Sequence, residues 1–93
     1  MPTANNMQSI HPGEILSEEF LTPLGLSVNG LARALDVPAT RIHSIVHGEC
    51  GITPDTAARL ARHFGGDAAS WMALQTAHDL KTLPNLEEIE RKV

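Results

Sequence analysis

The chain is 93 residues long, 42% hydrophobic and only 3% aromatic, which allows one domain with an aliphatic core and leaves no room for two. Its formal net charge of −4 argues against a nonspecific nucleic-acid coat, and its single cysteine, Cys50, rules out an internal disulfide. Residues 1–9 carry no apolar run behind a basic flank, and no stretch approaches the roughly 18 apolar residues of a membrane span, so a cytoplasmic protein with no membrane contact is expected.

Residues 1–10 read as a mobile, polar arm. His11-Pro12-Gly13 then opens the first helix, since proline suits a first turn whose N–H groups have no partner. Ile15, Leu16, Phe20 and Leu21 give it an apolar face, while Glu14, Glu18 and Glu19 point away. Thr22-Pro23-Leu24-Gly25 ends it. Ser27 caps a second helix that buries Leu31, Ala32 and Leu35, and Asp36-Val37-Pro38 breaks that helix. A third helix starts near Pro38 or Ala39, turns Ile42, Ile45 and Val46 inward, and stops at Gly48. Thr53-Pro54-Asp55 supplies a cap, a first-turn proline and an early acid for a fourth helix, with Ala57, Leu60, Ala61 and Phe64 along its stripe. After Gly65-Gly66, Asp67 caps a fifth helix with Trp71, Met72, Leu74 and Leu80 as its apolar residues. Leu83-Pro84 closes it, and residues 82–93 read as a tail or a short last helix. The domain proper is expected over 11–81.

Two short helices joined by a tight turn make a helix-turn-helix over Ser27 to His47. The small Ala32 lets the helices approach, Val37 plugs the turn, and Ile42 and Ile45 anchor the second helix. Ala39, Thr40, Arg41, His43, Ser44 and His47 are thereby forced outward. Their side chains are mostly short, so the helix can enter a major groove deeply. Arg41 can bind guanine with both arms of its guanidinium, Thr40 and Ser44 can donate or accept, and Ala39 can meet a thymine methyl. The N–H groups behind Ser27 can hold a phosphate, with Arg33 near the backbone. Positive charge is thin: residues 27–64 hold four Arg against three acids, and residues 1–26 hold three Glu and no Lys or Arg. Two copies are therefore needed to hold DNA tightly, their recognition helices about 34 Å apart along one face. From the physics alone, a helical protein-interaction module without a DNA role stays open.

Other chemistry is weakly supported. His43 and His47 are four residues apart on one helix, as metal ligands can be, but Ser44 stands where a zinc protease needs Glu, and no third ligand is evident. Cys50 lies in a Gly-flanked loop with no readable base, so an incidental thiol is expected rather than a nucleophile. No metal, cofactor, small-molecule substrate or enzymatic activity is expected.

The segment SVNGLARALDVPATRIHSIVHGE resembles the helix-turn-helix of the Xre/Cro-like, lambda-repressor-like superfamily. It carries the Leu-Ala pair, the apolar plug, the Ile-x-x-Ile helix and the terminal Gly. HPGEILSEEFLTPLGLS before it, ITPDTAARLARHFG after it and WMALQTAHDL further on are similar to the HigA (VapI-type) antitoxins of addiction modules, over roughly Ile10 to Leu80. The resemblance implies an all-α, five-helix fold. It also implies a homodimeric repressor of its own promoter, bound to an inverted repeat of double-stranded DNA, and a cognate HigB-like mRNA-cleaving toxin that it neutralises. An Xre-type regulator with no toxin partner is the alternative. The recognition role falls on Ala39, Thr40, Arg41, His43 and Ser44. One departure is His78, where the family commonly has Tyr. Trp71, Leu74, Gln75 and His78 are expected to line the core or the dimer interface, and Glu14, Glu18 and Glu19 are a candidate toxin-binding face.

Overall fold

The computed structural model describes residues 10–84 together with Leu86, Ile89 and Glu90. The expected N-terminal arm, Ile10 apart, and half of the expected tail lie outside the described residues. Among the described residues there are five helices and no strand. Helix α1 spans 12–24, α2 Val28–Leu35, α3 Ala39–Val46, α4 Pro54–Phe64 and α5 Ala68–Lys81. The all-α expectation holds.

Helix α1 is not regular. An α turn, Pro12–Ile15, passes into a wide π-type stretch, Leu16–Leu21, and then a last α turn, Thr22–Leu24. The Thr22 N–H bonds back five residues to the Ser17 carbonyl. Pro23 gives the physical reason: its ring would collide with the carbonyl four residues back, and it has no N–H to offer, so wider turns before it relieve the conflict. The buried residues follow that wider pitch, Leu16 and Leu21 being fully or almost fully buried five positions apart. Gly25 then closes the helix with φ of +67°, where a side chain would be strained.

The remaining boundaries follow local chemistry. Ser27, Thr53 and Asp67 each accept a hydrogen bond from the N–H three residues on, at 2.9, 3.3 and 2.8 Å. The Ser70 hydrogen bonds hold the Asp67 carboxyl below its ordinary range. In the α2–α3 turn Asp36 adopts the left-handed conformation at φ 61°, which Asp tolerates better than most residues, and the Val37 N–H bonds the Ala32 carbonyl at 3.0 Å. Gly48 ends α3 as expected, with the Glu49 N–H on the Ser44 carbonyl at 2.8 Å.

All five helices feed one core. Leu16, Leu31, Ile42, Ile45, Ala57 and Leu60 are essentially inaccessible, with Val37 packed against their edge. Phe20 ties α1 to the last two helices, its ring 4.8 Å from Phe64 and 5.3 Å from Trp71. Helix α1 also meets α3 at a point of backbone contact: a Cβ on Gly13 would overlap the Ile45 carbonyl. In α5 the apolar Leu80 and Leu74 are not part of the core, being 63% and 37% exposed. The inward row there is Trp71 and Gln75, and polar Gln75 occupies a core position because its amide is satisfied. Its Oε1 accepts from the Ile52 N–H at 2.7 Å and its Nε2 donates to Asp79 at 2.8 Å.

The cap of α1 is His11, whose Nδ1 accepts from the Gly13 N–H at 2.9 Å. The ring stands edge-on to His78 at 4.8 Å. Burial, and then the charge of His78, hold the His11 imidazole below its ordinary 6.5, against the opposing pull of the Cys50 carbonyl, Asp79 and Glu14. The unfolded chain therefore takes the proton more readily than the folded one. The associated stability is present in full above pH 6.5 and falls as pH drops through and below that value. Asn caps equally well without titrating, so between about pH 7 and 5 the wild type is expected to lose more melting temperature than His11→Asn. Parallel melting curves for the two proteins would remove His11 from the acid response.

Candidate DNA interface

The helix-turn-helix comprises α2, the turn 36–38 and α3. With Ile42 and Ile45 fully buried, the opposite face of α3 is set by helical geometry. Thr40, His43 and His47 are exposed on it, Ser44 is half-buried among them, and Ala39 at the entry is half-buried against the core. The two imidazoles lie nearly parallel, centroids 6.1 Å apart. His47 Nδ1 is 2.8 Å from the His43 carbonyl, which can only accept, so neutral His47 carries its proton there. Its Nε2 is left as an acceptor, suited to the amino group of cytosine or adenine. Among the described residues no group of three or more His, Cys, Asp or Glu is placed to share a metal ion.

Arg41 sits apart from that row. One hundred degrees per residue puts it on the flank of α3 towards α4, where its Nη1 lies 3.5 Å from Asp55. Asp55 is shared with Arg59, whose Nε is 3.0 Å away and whose Nη1 donates to the Leu35 carbonyl at 2.7 Å. Both ion pairs are well exposed and so contribute little to stability, at most about 1 kcal/mol each. From the sequence, Asp55 is named only as an early acid of α4, and Arg59 is given no role. The signal was available: they stand at i, i+4 on α4, where opposite charges meet.

At the start of α2, the Ser27 hydroxyl takes the Gly30 N–H, leaving those of Val28 and Asn29 for a phosphate. Arg33 is exposed on the same helix. Glu14, Glu18 and Glu19 are all exposed on α1. Of the residues expected to line the core or the dimer interface, Trp71 and Gln75 are only 6% and 7% exposed and are packed into the chain's own core, so neither offers a dimer surface here. His78 is half-buried, with its Nδ1 enclosed and unpartnered among the described residues. Of the four residues, Leu74 alone stands on the outer surface of α5. No helix of the described residues is long and apolar enough to cross a membrane.

Comparison with known proteins places this geometry. No protein-family model matches the chain. It is 61% identical to virulence-associated protein I of Dichelobacter nodosus over 77 residues, 83% of this chain and 71% of that protein. To antitoxin HigA-1 of Vibrio cholerae it is 32% identical over 80 residues, covering 86% of this chain and 75% of the relative. Its fold superposes on that of Pseudomonas aeruginosa antitoxin HigA with the higBA promoter at a TM-score of 0.80 and 47% identity, covering 81% and 82% of the two chains. On antitoxin GraA in complex with its operator the TM-score is 0.83 at 37% identity, covering 92% and 93%. A helix-turn-helix with an exposed polar recognition face, in a chain this similar to DNA-bound antitoxins, belongs to the HigA antitoxin family of helix-turn-helix regulators.

Proposed function

We propose that the chain is the antitoxin of a type II toxin–antitoxin module, a sequence-specific autorepressor that also neutralises a HigB-like mRNA-cleaving toxin in the cytoplasm. It binds an inverted repeat as a homodimer. Thr40, His43, Ser44 and His47 enter the major groove, Ala39 packs on a thymine methyl, and Arg41 reads a guanine from the flank. The free N–H groups behind Ser27, with Arg33, hold the backbone. The observation that carries the reading is the short-side-chain polar face of α3, on a fold shared with antitoxins bound to promoter and operator DNA. A gel-shift titration on the region upstream of its own operon tests it, and folded protein that gives no shift at moderate salt would overturn it.

Arg41→Ala is expected to weaken operator binding by about 1–3 kcal/mol, roughly 5- to 150-fold. An unchanged operator affinity would remove Arg41 from base readout. The exposed acids Glu14, Glu18 and Glu19 suit a toxin that must be basic to hold RNA. Co-expression with the adjacent small open reading frame tests this part: failure both to copurify with its product and to relieve its toxicity would end the antitoxin reading. For the dimer, the outer face of α5 with Leu74 and Leu80 offers apolar surface that the core leaves uncovered.

A further inference from the structure

We propose that Asp55 is a positioning residue that aims Arg41 at its base, so that a residue outside the helix-turn-helix sets part of the sequence specificity. The inference rests on the DNA-binding reading above. Arg41 has a long, freely rotating stem on the edge of the recognition face, and unheld it can swing to whichever phosphate is nearest. The structure gives it a stop. Its Nη1 meets the Asp55 carboxylate at 3.5 Å, and that contact leaves Nη2 and Nε for a ligand.

The stop is itself anchored. Asp55 receives Arg59 Nε at 3.0 Å, and Arg59 Nη1 is fixed to the Leu35 carbonyl at 2.7 Å and approaches that of Asp36 at 3.4 Å. A continuous chain of charge-assisted contacts thus runs from the last turn of α2, through α4, to the flank of α3. Its carboxylate has a second cation, so Asp55 keeps its place whether or not Arg41 stays. Near DNA an acid is otherwise a liability, because it repels phosphates. Its use is then to hold a neighbouring guanidinium in one orientation, and to make free phosphate-seeking by that guanidinium less favourable than a fixed base contact.

The test compares operator duplex with a scrambled duplex of equal length, at several salt concentrations, for wild type, Asp55→Asn, Arg41→Ala and the double variant. Asp55→Asn is expected to lower the operator-to-scrambled affinity ratio by about two- to fivefold, the range set by an exposed ion pair. Binding to the scrambled duplex should not weaken, and its salt dependence should steepen by up to about one counterion. In the Arg41→Ala background, Asp55→Asn should not lower the ratio further. An equal change on both duplexes would mean bulk charge alone and overturn the proposal. So would an equal loss of ratio with and without Arg41. Asp55→Ser, which removes the carboxylate but keeps an acceptor in the first turn of α4, serves if Asp55→Asn fails to fold. Wild type with no preference for the operator would overturn the DNA-binding reading itself; a wild-type preference that survives Asp55→Asn intact would overturn only the role of Asp55.

Discussion

Gly13→Ala is expected to destabilise the fold by about 3 kcal/mol, at the upper end of what overpacking usually costs. The added Cβ would overlap the Ile45 carbonyl and stand 3.0 Å from Val46 Cα. Those are backbone atoms, with no rotamer that could turn aside, so α1 and α3 must separate. Alanine's better helix propensity works in the opposite direction, but it is worth at most about 1 kcal/mol and less in a first turn. For a domain of this size the loss corresponds to a melting temperature lower by roughly 12–24 °C. Because α3 is the proposed recognition helix, operator affinity at a temperature where the variant is folded is expected to fall as well. A melting temperature unchanged to within a few degrees would show that the two helices are not in backbone contact.

The second large effect is expected at Gln75. Gln75→Ala removes the acceptor of the Ile52 N–H and leaves a cavity beside Gly51, whose missing side chain gives the Gln75 amide its room. Together the unpaired buried N–H and the lost packing should cost about 2–4 kcal/mol. Gln75→Met separates the two contributions, since it restores most of the volume without a strong acceptor. It should recover part of the loss and leave about 1–3 kcal/mol for the hydrogen bond. Chemical denaturation of the three proteins measures both. If Met matches the wild type, the Ile52–Gln75 bond contributes nothing and Gln75 is only a space-filling residue.

Much of the fold was legible because its boundaries are local. Ser27, Thr53 and Asp67 cap, Gly25 and Gly48 stop, and apolar spacing names the buried centre of α2, α3 and α4, although Val46, Ala61 and Phe64 are only half-buried and buried Thr56 carries no apolar signal. Less local features were not legible. The π-type stretch of α1 left a trace, Ile15 to Phe20 and Leu16 to Leu21 at intervals of five, but short apolar clusters fit an α-helix nearly as well. His11 as a cap depends on its ring lying against α5 and the loop at Cys50. At the candidate site, the outward row of α3 followed from Ile42 and Ile45. The engagement of Arg41 by Asp55 depends on a contact between helices that α3 alone does not reveal. The choice between core and dimer surface in α5 was not legible for a similar reason. Helical spacing shows that Trp71 and Gln75 share a face, but not whether the chain's own core or a second copy covers it.

The wide stretch in α1 also bears on how chains of this kind vary in length. Wide turns of this sort add roughly one residue to a helix without advancing its ends around the axis. A related chain lacking one residue between Leu16 and Leu21 could wind that segment as ordinary α-helix and still present His11 and Gly25 in the same phase. Residue-for-residue pairing across this segment would then mismatch Glu18 and Glu19 while both flanks stayed in register, so in this helix structural superposition is the sounder guide to equivalent positions.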